Sequence, residues 1–357
     1  MTAAEPESGP GAAERSAAEV ERAAAEEARL RRRRGARRFR LYGWLVALTA
    51  ALVAGGWIVW NTGPPTEAEL RERAGLTGKQ TLRIGVKDDT PGIAWFNGKT
   101  RVYEGFDIDI ALMIAEDLGF GKNQVEFLAI ETEDRDKMRA TNERGEPSDV
   151  DLVVATFSIT PKRMGNPGIG FSSPYLLTEQ SVVTRDDYKG KVTSLSQLAG
   201  KKVCTLGTST SESALQTALK RTGAKVIGMN RIRECIKGLE DGTYEAVSTD
   251  AAIMAGFVWQ SRGKQKLRHH DVGLEGSESW AVNSGTNTAL RTLVDLALYR
   301  SFTDPANRRW EDAYDRHIQP MKSGNRLIDI ARESQPCPKV PEVRRWPWER
   351  GTSAPVC

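Results

Sequence analysis

The chain has 357 residues, enough for two or three domains or lobes with sizeable cores. Its net charge is +4, and residues 1–40 hold 10 Arg against 7 Glu, so all but one unit of that charge sits at the N-terminus. The near-neutral remainder gives no support to nucleic-acid binding, which needs a clustered basic face.

Residues 2–30 are rich in Ala and Glu, with Arg15, Arg22 and Arg29 spaced seven apart. They read as a disordered or transiently helical tail. A coiled-coil or partner helix is the alternative, although its a and d positions would be mostly Ala. RRRRGARRFR (31–40) then runs directly into LYGWLVALTAALVAGGWIVW (41–60). Twenty uncharged residues suffice to cross ~30 Å of hydrocarbon as a helix. Trp44, Trp57 and Trp60 lie toward the ends, where interfacial aromatics sit. Seven Arg on the N-terminal flank predict a cytoplasmic tail (1–40), one transmembrane anchor (41–60) and an extracytoplasmic body. A cleaved signal peptide competes with this reading, but no convincing A-x-A site follows, and no Cys stands behind the apolar run as in a lipoprotein signal.

All four Cys (204, 235, 337 and 357) fall in the exported part, as an oxidising compartment allows. Locality favours Cys204–Cys235 and Cys337–Cys357 among the three possible pairings. No C-x-x-C is present and no His lies near a Cys, so no metal site is expected.

Residues 61–80 read as a polar linker with a short helical pattern that holds the body off the membrane. TLRIGVK (81–87) is a strand, Phe106 to Gly119 a helix with Gly119 as its stop, and VEFLAI (125–130) a strand. Asp134 to Arg144 reads as a polar helix. The run Val150 to Ala155 is a buried strand, and Thr160-Pro161 opens a helix. Arg163 then sits in a first helical turn near a strand end, where α/β proteins bind ligands, with Ser158 and Thr160 beside it. A planar guanidinium with hydroxyls and free N–H groups suits a carboxylate; pairing with a surface acid is the alternative.

A strand at 180–184 leads into a second αβ series. It comprises KKVCTL (201–206), a helix from Gly207-Thr208-Ser209-Thr210, KVIGM (225–229), a helix at 232–239, YEAVSTD (244–250) and an apolar helix at 251–260. LRHHDV and ESWAVN are strand-like, and helices at about 286–303 and 306–316 come last. From Glu333 the tail holds five of the sixteen Pro and the last two Cys, so it reads as irregular and stapled. Two such units predict an α/β fold of two lobes around a cleft. Lobe 1 takes 81–184 and 285–330, lobe 2 takes 185–284, and 331–357 is the tail. The hinge strands are expected at about 180–187 and 279–285.

Over about residues 80–320 the chain resembles the type 2 periplasmic solute-binding proteins of family 3, the polar amino-acid binders. The resemblance rests on GVKDDTPGIAW (85–95), GFDIDIALMIAEDLG (105–119), DLVVATFSITPKR with GFSSPY, GTSTSESAL (207–215) and YEAVSTDAAIMAG (244–256), all in order. Cys204 and Cys235 also resemble the pair of exported glutamate binders from Gram-positive bacteria with GC-rich genomes. The resemblance implies that Arg163 grips a ligand α-carboxylate, helped by Ser158, Thr160 and the turn Thr208, Ser209, Thr210. It implies that Asp250 takes the α-ammonium from the opposite lobe, so that binding closes the cleft. Trp95 would wall the ligand, or belong to the core. Lys87, with Arg101 after it, is the candidate for a side-chain carboxylate, which would favour Glu or Asp over Gln. Either cation is otherwise a solvated surface base.

The implied function is membrane-tethered binding of a polar L-amino acid, glutamate or aspartate first and glutamine or asparagine next. An ABC permease is one expected partner. The anchor and basic tail, which depart from ordinary lipidated or soluble binders, raise amino-acid sensing through a signalling protein or kinase as the other. No cofactor is implied. An enzyme on the same fold, such as a dehydratase, is disfavoured because no G-x-S-x-G, H-E-x-x-H or P-loop occurs, and Ser261 to Lys264 fits S-x-x-K without its companions.

Overall fold

The computed structural model describes residues 10–62, 64–142, 144–262, 267–274, 276–325 and 328–344. It divides into two units, Met1–Pro64 and Pro65–Cys357. In the first, one helix, Pro10–Thr62, runs through both the Ala/Glu-rich tail and the apolar segment. Residues 10–30 of the tail lie in this helix. This fits the high helix propensity of its Ala, Glu and Arg residues. The helix is long and apolar enough to cross a membrane. Thr49 returns its hydroxyl to Leu45 O at 2.7 Å, so no polar atom of that side chain needs solvent.

The second unit does not begin with a spacer. Thr66 and Glu69 form a reciprocal capping box that starts the helix Glu67–Arg73. Leu70, Ala74 and Leu76 are buried, Arg71 donates to the carbonyls of Asp117 and Leu118, and Asn287 Nδ2 donates to Ala74 O at 3.0 Å. Residues 65–80 belong to the body because their apolar stripe finds a core face.

The first lobe is built on a seven-stranded mixed sheet in the order Pro147–Asp149, Arg139–Thr141, Val125–Ala129, Leu82–Val86, Leu152–Val153, Glu278–Asn283, Phe171–Thr178. Leu82–Val86 runs parallel to both Val125–Ala129 and Leu152–Val153. The apolar, β-branched side chains of these central strands are covered by Phe106–Asp117, whose Phe106, Ile110 and Ile114 are fully buried. Each contributes about 1.5–3 kcal/mol. Gly119, at φ 86°, ends that helix in the left-handed region where only glycine is unstrained.

Asp134 to Arg144 is not a helix. After a single 3-10 turn, Thr132–Asp134, the chain makes a hairpin from Arg139–Thr141 and Pro147–Asp149. Asn142 Oδ1 accepts from the N–H groups of Arg144 and Glu146, and Pro147 cannot continue a helix. The stretch has no apolar stripe to hold a helix against the sheet.

The second lobe carries a five-stranded sheet, Lys225–Met229, Lys202–Leu206, Ala246–Asp250, Gln180–Arg185, Leu267–Asp271. Cys204 on its strand and Cys235 on the helix Ile232–Glu240 form a disulfide across a Cα separation of 5.4 Å. The pairing Cys337–Cys357 runs to a residue outside those described.

Phe171–Thr178 pairs antiparallel with Glu278–Asn283 in the first sheet, while Gln180–Arg185 pairs in the second. The chain thus changes lobes at Glu179 and returns between Asp271 and Glu278, a few residues before the positions inferred for hinge strands. The last described segment follows Phe171–Thr178 outward. Ile330 O accepts from Thr178 Oγ1, Arg332 N donates to Leu177 O, and Arg344 N reaches Pro65 O at 2.9 Å.

Candidate ligand cleft

The strand Leu152–Val153 ends in Val154-Ala155-Thr156, and the chain turns at Thr156 with φ 48°. Buried Asp107, the third residue of the GFD motif, holds that turn. Its Oδ2 accepts from Thr156 N and its Oδ1 from Tyr175 Oη, each at 3.0 Å. Burial pushes its carboxyl up to about 7 despite both donors. Residues 157–159 then run beside the strand Glu278–Asn283, with Ala281 N donating to Phe157 O and Ile159 N to Ser279 O. This path delivers Thr160 as the cap of the short helix Pro161–Met164, its Oγ1 accepting from Arg163 N at 3.2 Å.

Arg163 reaches across the cleft. Its Nη1 donates to Ser158 O at 2.8 Å in the first lobe, and its Nη2 to Thr208 O at 3.2 Å in the second. Its guanidinium lies 4.6 Å from the centroid of the Phe157 ring. Arg135 stacks on the same ring at 4.7 Å. Arg135 is buried and donates to the carbonyls of Thr132, Ala155 and Thr156. Burial, and then the charge of Arg163, lower it to about 9. Two cations thus flank Phe157, with Asp250 and Asp136 acting on both as countercharges and Glu278 on Arg163 as well.

Above Phe157 lies a cavity of about 730 Å³ between the lobes. Arg163, Thr160, Thr208, Ser209, Thr210 and Thr132 line it, along with Glu133 and Asp136 on its exposed side. Ser209 caps the helix Thr210–Ala218 by accepting from Glu212 N at 3.0 Å. Thr210 Oγ1 donates to buried Glu278 at 3.0 Å, and Ser158 hydrogen-bonds the same carboxylate. Glu278 therefore ties one lobe to the other beneath the cavity. Burial, reinforced by nearby Asp250, pushes it up to about 7.

Five of the ten residues expected at the site, Arg163, Thr160, Thr208, Ser209 and Thr210, thus share one cavity. Ser158 lies directly under it, offering its carbonyl to Arg163. The other four stand elsewhere. Asp250 is buried, with Oδ2 accepting from Trp280 Nε1 at 2.6 Å. Lys87 is 2% exposed and donates to Ile130 O at 3.2 Å and Thr132 Oγ1 at 3.4 Å, with Asp89 and Glu131 each 4.0 Å away. It is one residue removed from the cavity wall, behind Thr132. Trp95 carries Arg233 on its ring at 4.8 Å. Arg101 occupies an exposed turn, at φ 55°, between the antiparallel strands Ala94–Asn97 and Val102–Glu104.

Sequence reasoning missed Phe157, Arg135, Glu278 and Trp280. Phe157 lies inside the quoted ATFSIT motif, so its place was readable. Arg135 sits in EDRDK, a charge run that reads as solvated surface, and nothing local marks Glu278.

The pattern matches bacterial extracellular solute-binding proteins, family 3, over residues 82–330. The chain belongs to that family. Its relatives include a glutamate-binding protein, GluB, from Corynebacterium efficiens, 26% identical over 279 residues that cover 76% of this chain and 90% of GluB. The glutamine-binding protein GlnH of a Bacillus subtilis ABC transporter is 30% identical over 194 residues, 54% of this chain and 66% of GlnH. Among solved structures, an ancestral arginine-binding protein bound to arginine superposes with a TM-score of 0.58 at 27% identity, covering 67% of this chain and 98% of that one. The family-3 chain therefore has the two-lobed type II periplasmic-binding-protein fold, and it is a solute-binding receptor of an amino-acid-binding family, not an enzyme.

Proposed function

We propose that this family-3 receptor is a membrane-tethered, extracytoplasmic binder of an acidic amino acid, glutamate or aspartate, serving ABC-type uptake. The observation that carries the acidic ligand is the convergence of Arg163 and Arg135 on Phe157 beneath a hydroxyl-lined cavity. Arg163 takes the first carboxylate as a planar fork, trading its bonds to Ser158 O and Thr208 O for stronger charge-assisted ones. The hydroxyl of Thr160, whose oxygen accepts from Arg163 N, has its proton to give the ligand, whereas Ser209 and Thr210 already donate theirs to Leu206 O and Glu278. Arg135 supplies the field that favours a second negative charge over an amide. Lys87, behind Thr132, would reinforce that preference; glutamine and asparagine remain the weaker ligands. The name of GluB agrees with this ligand, and that of GlnH with the transport role.

The apolar helix within Pro10–Thr62 is the proposed anchor, with its Arg-rich side in the cytoplasm. The same helix supports a second reading, sensing across the membrane, because it continues through the basic tail without a break. Uptake of labelled glutamate in cells with and without the gene separates the two. Transport requires that uptake falls on deletion, and unchanged uptake with intact binding would leave sensing. Mass spectrometry of the mature N-terminus checks the anchor, which must begin before residue 41.

A further inference from the structure

Glu278 is 3% exposed and stands between the lobes, beneath the cavity that Arg163 lines. Thr210 Oγ1 of the second lobe donates to its Oε2 at 3.0 Å, and Ser158 of the first bonds the same carboxylate. Among the acids that act on Arg163, Glu278 acts most strongly, ahead of Asp250 and Asp136. The guanidinium that would grip a ligand therefore has a resident countercharge, and a proton can remove that countercharge.

Three buried carboxyls, Glu278, Asp250 and Asp107, share the guanidiniums of Arg163 and Arg135. The other charges nearby are spoken for or screened. Glu133, Asp136 and Lys162 stand on the exposed rim of the cavity, in contact with water. Glu212, on the helix that carries Thr210, accepts from Thr208 N, and Lys87 faces Asp89 and Glu131. Glu179 lines a separate cavity with Arg332. The α-amino and α-carboxylate charges of glutamate cancel, so its side chain adds one negative charge to a set in which carboxyls already outnumber guanidiniums. A proton restores the balance, and the partners of each carboxyl decide where it goes. Asp107 is held by a backbone N–H and Asp250 by an indole N–H, which can only donate. Both described partners of Glu278 are hydroxyls, and a hydroxyl can turn to accept from a protonated carboxyl. Burial and Asp250 push the Glu278 carboxyl up to about 7, within reach of a proton at neutral pH.

We propose that Glu278 is a specificity-determining residue, which admits a ligand with a second carboxylate when protonated and opposes it when ionised, so that glutamate is bound together with a proton. The proton comes from solvent and goes to a Glu278 oxygen. Glutamine adds no net charge and needs no such proton. This rests on the acidic-ligand reading above and deepens it.

The test is calorimetry on the full-length protein in detergent at pH 7.5, run in phosphate and again in Tris. The two buffers differ in ionisation heat, so the difference between the runs counts the protons taken up. Glutamate is expected to bring about half a proton or more, and glutamine less than half as much. Glutamate affinity should also fall by about fivefold or more between pH 6.5 and pH 8.5, with glutamine changing by less than about twofold. In Glu278→Gln, in a preparation whose melting shows it folded, the uptake should vanish and the preference for glutamate should stop changing with pH. Glutamate binding without proton uptake, or with no more than glutamine, overturns the inference and leaves the acidic-ligand reading intact. Uptake that survives in the folded variant belongs to Asp107 or Asp250 and overturns the role given to Glu278. Should the variant not fold, the difference between glutamate and glutamine in the wild type decides by itself. Absence of heat with glutamate overturns the acidic-ligand reading and the inference with it.

Discussion

Arg163 is held at 2.8 Å and 3.2 Å by carbonyls of opposite lobes, so it is a grip that already bridges the cleft. Arg163→Ala should weaken glutamate binding by about 2–5 kcal/mol, since the ligand carboxylate loses its paired charge. Titration calorimetry at neutral pH checks this, and affinity near that of the wild type would remove Arg163 from the site. Glu278 makes a pH prediction. Its carboxyl titrates near 7 in the fold, above the ordinary glutamate value near 4.5. The folded state therefore keeps a proton that the unfolded chain releases. The stability this gives is fully present below about 4.5, is lost as pH rises toward about 7, and changes by at most about 1.4 kcal/mol per pH unit. In Glu278→Gln that component is gone, so the stability difference between wild type and variant should fall across this window and flatten above it. Urea denaturation at pH 4.5, 6 and 7.5 measures it; a pH-independent difference would contradict the assignment. None of this was readable near Glu278, because burial and the proximity of Asp250 arise only once two distant strands meet.

At the scale of elements, what was legible followed the physics of burial. The β-branched runs at 82–86, 152–155, 202–206 and 246–250 must lie between covered faces, and they do. The hairpin at 139–149 was missed because a polar stretch carries no period, and its Asn142 turn decides it locally. Residues 61–80 read as a spacer because a short amphipathic helix looks alike whether its stripe meets solvent or a core. The disulfide was legible from spacing alone. Cys204 and Cys235 lie 31 residues apart and staple the helix Ile232–Glu240 to its sheet. Replacing both with Ala should cost on the order of 3–4 kcal/mol in the chain-entropy model. Chemical denaturation should show a lower midpoint; an unchanged midpoint would mean that the second lobe is held by packing alone.

Across the molecule, the lobes meet at several points besides the cavity. Arg231 of the second lobe pairs with Asp88 and Glu131 of the first, and Arg233 N donates to Asp89 Oδ2 at 3.2 Å. Gly256, in the helix Ala251–Gln260, lies so close to Pro91 that a Cβ would stand 1.9 Å from its carbonyl oxygen. Only glycine permits this approach, so Gly256→Val should hold the lobes apart. Small-angle scattering should then show a larger radius of gyration with glutamate present, and calorimetry a weaker affinity. An unchanged radius and affinity would mean that closure does not use this contact. The two-lobed plan was visible in the order of strands and helices, but how tightly the lobes shut was not, because it depends on single atoms such as the missing Cβ.

The most direct test of the account is competition among L-glutamate, L-glutamine and L-arginine for the full-length protein, followed by calorimetry. The two guanidiniums on Phe157 predict that glutamate binds at least about tenfold more tightly than glutamine and that arginine gives no heat. Tighter binding of arginine, or no discrimination between glutamate and glutamine, would contradict an acid-selecting cleft.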